Sequence, residues 1–256
     1  MRNRIPLASS WLILTWTLWG TGTASAQEDA PPPWVRLNVV QVQPAMVDEF
    51  ISVQRELTAR AKEAKVPWRS VSRTEVFGDT YRFLIATPVE KLASFDESEK
   101  SGPDPELTTL IHRIERCVTE RTSYAVRTLP RAGNPLPVEK TPDLMIVNVA
   151  RIAPGREQDY LNVMTSDFLP HFDEAEMHYV TGALAFGGES GFIHVFYVDD
   201  FADLDKGSPV MRALGSDGAQ AVTAKLAGIV TSSDLWLARV IPELSYFPPP
   251  PESDEP

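Results

Sequence analysis

Cysteine is almost absent from this sequence, since Cys117 is the only one among 256 residues. This excludes an intrachain disulfide framework and a cysteine-rich zinc module. Basic residues are also in the minority: 24 Lys and Arg stand against 35 Asp and Glu, and the formal net charge is −11 at pH 7. A chain this acidic has little with which to neutralise phosphates, so nucleic acid and anionic membrane surfaces are not expected as partners.

Long apolar runs are also rare, and the clearest one lies near the N-terminus. Arg2 and Arg4 precede a largely apolar stretch from Ile5 to Gly20, and Ala24-Ser25-Ala26 follows as an A-x-A cleavage pattern. This order predicts a secretory signal peptide over residues 1–26. The alternative is an N-terminal membrane anchor, but the run is shorter than the roughly 20 residues that a span needs. We therefore expect a periplasmic or secreted protein with no membrane span after cleavage.

The rest of the sequence contains an internal repeat. The segment Val35–Phe50 aligns without gaps on Met145–Tyr160 at an offset of 110 residues. Two further pairs of blocks follow in the same order, Phe77–Asp96 with Phe186–Asp205 and Val118–Pro130 with Val230–Pro242. Three aligned blocks at a nearly constant offset predict a tandem duplication.

Each repeat has the pattern of a β-α-β-β-α-β unit. Strands are predicted from β-branched and aromatic runs, helices from apolar residues that recur every three or four positions, and a hairpin from Gly78-Asp79. In the first repeat the predicted elements are a strand over Val35–Val42, a helix from Val47 to Ala61, strands over Ser70–Phe77 and Tyr81–Thr87, a helix from Leu107 to Val118 and a strand over Tyr124–Leu129. The predicted closing strand of the second repeat is Trp236–Ile241. This order is the ferredoxin-like unit.

The predicted strands are apolar on both faces, so the face of each sheet that its own helices leave bare must also be buried. The fold class is therefore predicted as α+β, with two tandem ferredoxin-like repeats packed sheet to sheet as a fused dimeric α/β barrel. The predicted segments are a signal peptide at 1–26, the first repeat at 34–130, a linker at 131–142, the second repeat at 143–246 and a disordered, acidic, proline-rich tail at 247–256.

This arrangement resembles the dimeric α/β-barrel superfamily in a fused form. The superfamily includes antibiotic-biosynthesis-monooxygenase-like and NIPSNAP-like proteins, heme-degrading monooxygenases and chlorite dismutases. The resemblance covers roughly Val35 to Tyr246 and rests on the repeat, on a first strand with Asn38 or Asn148, on a Pro/Gly turn and on the amphipathic helix that follows. It implies a ligand between the sheet and the helices or within the barrel.

In heme-degrading members of the superfamily, a catalytic Asn lies at a similar place on the first strand and a His on the second helix holds the heme. The resemblance therefore draws attention to Asn148 and to His112, whose counterpart in the second repeat is Ala224. The Trp that these members carry on the third strand is absent, because the aligned strands here read RFLIATP and GFIHVFY.

The candidate ligand-binding residues are polar or aromatic groups on apolar strands. Asn38 and Asn148 each need a hydrogen-bond partner if buried, so each either binds protein groups or faces a cavity. By alternation His194 shares a strand face with Phe192 and Phe196. A histidine there either completes the core or acts on a ligand, and in the second case a carboxylate or carbonyl is expected to fix its tautomer. Asn148 and His194 are the candidate catalytic residues.

Metal binding is not predicted. His171 and His178 flank the densest group of acids and stand seven residues apart, but no tight metal-binding spacing accompanies them. They remain the weak candidates, and the alternative is a solvated helix end. The sequence favours neither heme nor metal as a cofactor.

Three functions remain open on the sequence alone. The first is an exported protein that binds a small apolar or amphipathic molecule without turnover. The second is a monooxygenase-like oxidoreductase, either cofactor-independent or heme-dependent. The third is an interaction module whose acidic surface and tail meet a protein partner.

Overall fold

The computed structural model describes residues 34–247, with the exception of 101, 103, 138 and 139. The predicted signal peptide at 1–26 and residues 248–256 of the predicted tail lie outside these residues. The strands are β1 (Trp34–Val42), β2 (Ser70–Thr74), β3 (Arg82–Val89), β4 (Val118–Thr128), β5 (Leu144–Ile152), β6 (Tyr179–Phe186), β7 (Gly191–Val198) and β8 (Val230–Val240). The α-helices are α1 (Val47–Glu63), α2 (Ser94–Lys100), α3 (Pro105–Cys117), α4 (Glu157–Val163), α5 (Leu169–Glu174), α6 (Phe201–Asp205) and α7 (Pro209–Lys225).

The eight strands form one closed barrel in the order β1-β3-β2-β8-β5-β7-β6-β4. Every named strand pair is antiparallel. The strands of the first half are contiguous in the barrel, as are those of the second, and the seams are β2–β8 and β4–β6. The α+β class is confirmed, and closure leaves no free sheet edge among these eight strands.

Alternation along the strands divides the core into three layers. One face of each strand points into the barrel, which is filled by aliphatic residues such as Leu37, Val147 and Ile193. The opposite face of the first-half sheet packs under α1 and α3, with Phe50 and Phe83 at the centre. The opposite face of the second-half sheet packs under α4, α5 and α7. The lone Cys117 is fully buried in the first-half layer, and its thiol donates a 3.2 Å hydrogen bond to the carbonyl oxygen of Arg113.

The closing strands of both halves are longer than the sequence predicts. β4 begins at Val118 instead of Tyr124, and β8 begins at Val230 instead of Trp236. The added residues are mostly polar and exposed, so they carry no alternating apolar signal. Their backbones are nevertheless held, because β4 pairs with β1 as far as Val42 and β8 pairs with β5 as far as Ile152.

The region between β5 and β6 also departs from a regular helix. After α4, residues Met164–Phe168 form a π-helix before α5 begins at Leu169. Pro170 has no N–H to continue an α-helical ladder, and its ring clashes with the carbonyl one turn back. The π-turn places an extra residue in the chain just before this proline. No helix among the described residues is long and apolar enough to cross a membrane.

Candidate functional site

A row of three polar residues crosses the helix-facing surface of the second-half sheet. Asn148 on β5 pairs with His194 on β7, and His194 pairs with Thr181 on β6. Their strand neighbours Val147 and Ile193 point the other way, into the barrel. The row therefore lies under the helices of the second half, on the same surface as Phe192 and Phe196.

His194 is held by hydroxyl groups on both sides of its ring. Its Nε2 lies 2.7 Å from the phenol oxygen of Tyr160 on α4, and its Nδ1 lies 3.0 Å from Oγ1 of Thr181. The partners that the sequence led us to expect, a carboxylate or a carbonyl, are not the ones present. Hydroxyl partners satisfy a neutral imidazole, whereas a carboxylate would favour the charged form.

Burial fixes the charge state of this group. His194 is 2% exposed, and burial lowers its pKa to about 4. Burial also raises the pKa of the Tyr160 phenol. The neutral ring carries one N–H, so it donates one of these two hydrogen bonds and accepts the other from a hydroxyl. The result is a neutral chain of hydrogen bonds.

Asn148 presents a free amide donor beside this chain. Its Oδ1 accepts a 2.6 Å hydrogen bond from Oγ of Ser233 on β8. Within the described part of the chain, its Nδ2 donates no hydrogen bond. An amide with two N–H donors and partial burial needs an acceptor, which solvent or a ligand supplies.

These polar groups open onto a cavity of about 440 Å³ between the sheet and the helices. The cavity is bounded by the π-helix, α5 and α7 on one side and by β5, β7 and β8 on the other. Most of its lining is apolar, with Ala150, Met164, Phe168, Phe172, Phe196, Val210, Leu226, Ala227 and Val230. Its polar lining consists of Asn148, Tyr160, His194, Thr223 and Ser233. A mainly apolar cleft with a few convergent polar groups is typical of small-molecule sites.

Aromatic packing holds the wall of the cavity rigid. The ring of Phe192 lies 4.8 Å from that of Tyr160 in a stacked arrangement, so Phe192 supports the site from below and does not line it. Phe196 and Phe172 meet edge to face at 5.3 Å. The π-helix brings both Met164 and Phe168 to the lining, and π-turns occur frequently at functional sites.

Asn38 occupies the matching position in the first half, but its surroundings differ. Its Oδ1 also accepts a 2.6 Å hydrogen bond from a serine, Ser123 on β4. However, Asn38 pairs with Ile85, and Ile85 pairs with Val71, so the polar row is missing. The cavity draws its lining from the second half alone, within the described residues.

The other histidines lie away from the cavity lining. His171 is on α5, where its Nδ1 is 3.8 Å from a carboxylate oxygen of Glu174, and His178 precedes β6 with a buried Nδ1 that has no partner in the described part. His112 lies exposed on α3. Among the residues that the structure describes, no group of three or more His, Cys, Asp or Glu side chains is placed to hold a metal ion.

The sequence pointed to Asn148, His194 and Phe196 as ligand contacts, and the structure places all three on the cavity. The sequence did not indicate Tyr160, Thr181 or Ser233. The sequence offered one signal for Tyr160. The alignment of Val35–Phe50 on Met145–Tyr160 places it opposite Phe50, so the second segment carries a hydroxyl group that the first lacks. The remaining partners reach the site from distant strands and leave no local pattern.

Comparison with known proteins gives structural matches only. No protein-family model matches the chain, and no curated protein sequence does. A protein from Fusobacterium nucleatum proposed to be a monooxygenase is similar with a TM-score of 0.59 at 10% identity, over 82% of this chain and 93% of that one. An anthrone oxidase-like protein is similar with a TM-score of 0.55 at 12% identity, over 81% and 91% of the two chains. A chlorite dismutase variant from Candidatus Nitrospira defluvii is similar with a TM-score of 0.55 at 8% identity, over 84% and 93%.

The chain has the dimeric α/β-barrel fold. Each match spans more than four fifths of this chain and therefore includes both halves. The structural similarity establishes the fold, and at 8 to 12% identity it carries no function by itself.

The lining of the cavity does not fit a heme. Heme iron in proteins is held by His, by a Cys thiolate, by Tyr or by Met together with His. Both nitrogens of His194 are taken by hydroxyl groups, and burial keeps the Tyr160 phenol protonated. Met164 is the remaining donor in the lining, and no free imidazole accompanies it there.

Proposed function

We propose that this protein is exported and binds a small apolar or amphipathic molecule in the cavity of its second half, without converting it. The cavity itself carries the proposal: about 440 Å³ of mainly apolar space, enclosed by rigid aromatic packing. Burial of a ligand's apolar surface there supplies the binding energy.

The polar groups of the cavity define one end of the ligand. The Nδ2 of Asn148 offers hydrogen-bond donors, the Ser233 hydroxyl can accept because its proton is donated to Asn148 Oδ1, and the Thr223 hydroxyl can donate or accept. No charged side chain belongs to the lining. We therefore propose an uncharged ligand that carries a carbonyl, hydroxyl or ether oxygen at one end and an apolar body at the other.

Occupancy can be measured directly on the purified exported protein. We expect native and denaturing mass spectra to differ by the mass of a retained ligand, or the empty protein to bind a hydrophobic fluorescent probe. Ala227 lines the cavity and is exposed, so Ala227→Phe should block access and reduce binding about tenfold or more. Ala224→Phe is the matched control, because Ala224 is an exposed α7 residue outside the lining. Absence of both retained mass and probe binding, or equal loss in the two variants, would contradict the proposal.

A monooxygenase-like oxidoreductase is the second candidate, supported by the buried chain of Tyr160, His194 and Thr181. In this function the Nδ2 of Asn148 donates a hydrogen bond to an oxygen atom of the substrate, and the Tyr160 phenol, positioned by its 2.7 Å hydrogen bond with His194, borders the same site. Similar folds in proteins named as monooxygenases or anthrone oxidase-like are consistent with this candidate.

Turnover separates the two candidates. Oxygen uptake by the purified protein should be tested with anthrones and hydroxyquinones, because the second candidate requires molecular oxygen as co-substrate. If Asn148 and the Tyr160–His194 pair position the substrate, Asn148→Leu and His194→Gln should each lower uptake, while Asn38→Leu in the first half should not. Retained uptake in both second-half variants would eliminate this candidate and leave the binding protein.

The proposal includes two further features. The first is that residues 1–26 act as a cleaved export signal, and the second is that the two halves descend from a tandem duplication. The second is supported by the shared element order and by an Asn–Ser hydrogen bond of 2.6 Å in each half. N-terminal sequencing of the exported protein should give Gln27 as the first residue, and a start at Met1 would contradict the cleavage.

A further inference from the structure

One end of the barrel holds a second, smaller pocket. It lies where β1 and β5 end and has a volume of about 170 Å³, close to the volume of six molecules of liquid water. Val39, which packs against the interior cluster, is among its lining residues. This pocket differs from the cavity described above, because its side chains belong to the inner face of the strands.

Three arginines line this pocket, and two of them lie on aromatic rings. The guanidinium carbon of Arg82 is 5.1 Å from the ring centre of Trp236, and that of Arg151 is 5.4 Å from the ring centre of Tyr124. Both rings pack against the barrel interior. Arg151 also donates to the Tyr124 hydroxyl at 2.9 Å and to the backbone oxygen of Glu189 at 3.3 Å. Stacking of this kind fixes the plane of a guanidinium. Both terminal nitrogens of Arg151 thus already donate one hydrogen bond each, whereas the Arg82 guanidinium donates none among the described residues.

Among the described residues neither arginine forms a direct ion pair with a carboxylate, although Arg82 interacts electrostatically with Asp79. Two further carboxylates line the pocket itself. Glu120 and Asp234 border it at exposed positions and form no ion pair with Arg82 or Arg151. Arg121 also borders the pocket, but its strand partner Val40 lies on the helix-facing side of the sheet, so Arg121 belongs to that side and not to the barrel interior. The pocket thus combines two half-buried guanidinium groups with a more exposed acidic rim.

From this arrangement we infer that the barrel mouth binds a small monocarboxylate with a short apolar body. A planar carboxylate matches the fork of N–H donors on Arg82, and each terminal nitrogen of Arg151 has a second N–H that can reach the same carboxylate. The apolar body lies toward Val39, between the two aromatic residues. A second negative charge would face Glu120 and Asp234, so dicarboxylates and phosphates are disfavoured.

Benzoate is a suitable probe, with benzamide as its uncharged analogue and phthalate as a dianion. Isothermal titration of the full exported protein should show benzoate binding, with both analogues at least about tenfold weaker. Arg82→Gln and Arg151→Gln should each weaken benzoate binding about tenfold. Arg82→Lys keeps the charge but loses the fork, so its affinity should fall between those of the wild type and Arg82→Gln.

Two controls locate the binding. Arg127→Gln changes an exposed arginine on the same strand as Tyr124 but outside the pocket, and it should leave benzoate affinity unchanged. Asn148→Leu alters the larger cavity and should also leave it unchanged. Thermal melts verify that each variant is folded. Absence of benzoate binding, equal binding of benzamide, or full affinity in both folded Gln variants would overturn the inference.

Discussion

At the residue scale, His194 shows how burial and neutral partners decide a side chain's chemistry. Its ring is enclosed, is bonded on both nitrogens and stays uncharged at neutral pH. The alternation of apolar residues places it on the correct face of β7. It does not reveal Tyr160 or Thr181, because these partners stand 34 and 13 residues away in the chain.

Replacing His194 should destabilise the protein strongly. His194→Ala removes two buried hydrogen bonds and leaves a void, and we expect the free energy of unfolding to fall by about 2 to 4 kcal/mol. Urea denaturation followed by circular dichroism measures this loss. His112→Ala, at an exposed position, should stay within about 0.5 kcal/mol of the wild type. Equal losses in the two variants would contradict the structural role of His194.

The depressed pKa of His194 also predicts a pH dependence. The ordinary pKa is 6.5 and the folded value is about 4, so between these values the unfolded chain binds a proton that the folded chain does not. Stability is therefore complete above pH 6.5 and is lost as pH falls toward 4, by about 3 kcal/mol in total. Unfolding free energies of wild type and His194→Gln, measured from pH 7 to 4.5, should converge as pH falls. A constant difference would refute the assignment.

At the element scale, α7 is interrupted at one residue. Gly215 has φ of 67° and ψ of 179°, a conformation that is essentially limited to glycine. The helix continues on both sides of it, and residues from both parts, Val210 and Thr223, line the large cavity. Both parts of the interrupted helix therefore contribute to the wall of the cavity.

Gly215→Ala tests this interruption. An added Cβ meets no atom within 4 Å, so the cost comes from the backbone and should be about 1 to 3 kcal/mol. Thermal or urea unfolding gives the value. Ser216→Ala, at the next exposed position, should change stability by less than about 0.5 kcal/mol. A neutral or stabilising Gly215→Ala would show that the segment adopts a regular helix in solution.

At the scale of the whole molecule, stability depends on the two seams that join the halves. At the β4–β6 seam the chains approach closely: a Cβ on Gly182 would lie 2.3 Å from Cγ1 of Val126. The contact lies inside the barrel, where Val126 belongs to the interior cluster. Glycine is therefore needed at this position for the barrel to close.

A double-mutant cycle tests closure at this seam. Gly182→Ala should destabilise the protein by about 1 to 3 kcal/mol through overpacking. Val126→Ala removes the clashing methyl group, so the double variant should be more stable than the sum of the two single effects predicts. Additive losses would mean that the two residues do not meet in solution.

The sequence by itself determined the α+β class and the positions of most elements, because these depend on local alternation and on spacing along the chain. It also predicted the barrel from strands that are apolar on both faces, and placed Asn148, His194 and Phe196 on one surface, since strand parity is a local property. Tertiary structure alone decided that only the second half opens a cavity and that hydroxyl groups hold His194. These features depend on contacts between distant segments, as in the row where His194 and Thr181 stand in place of Ile85 and Val71.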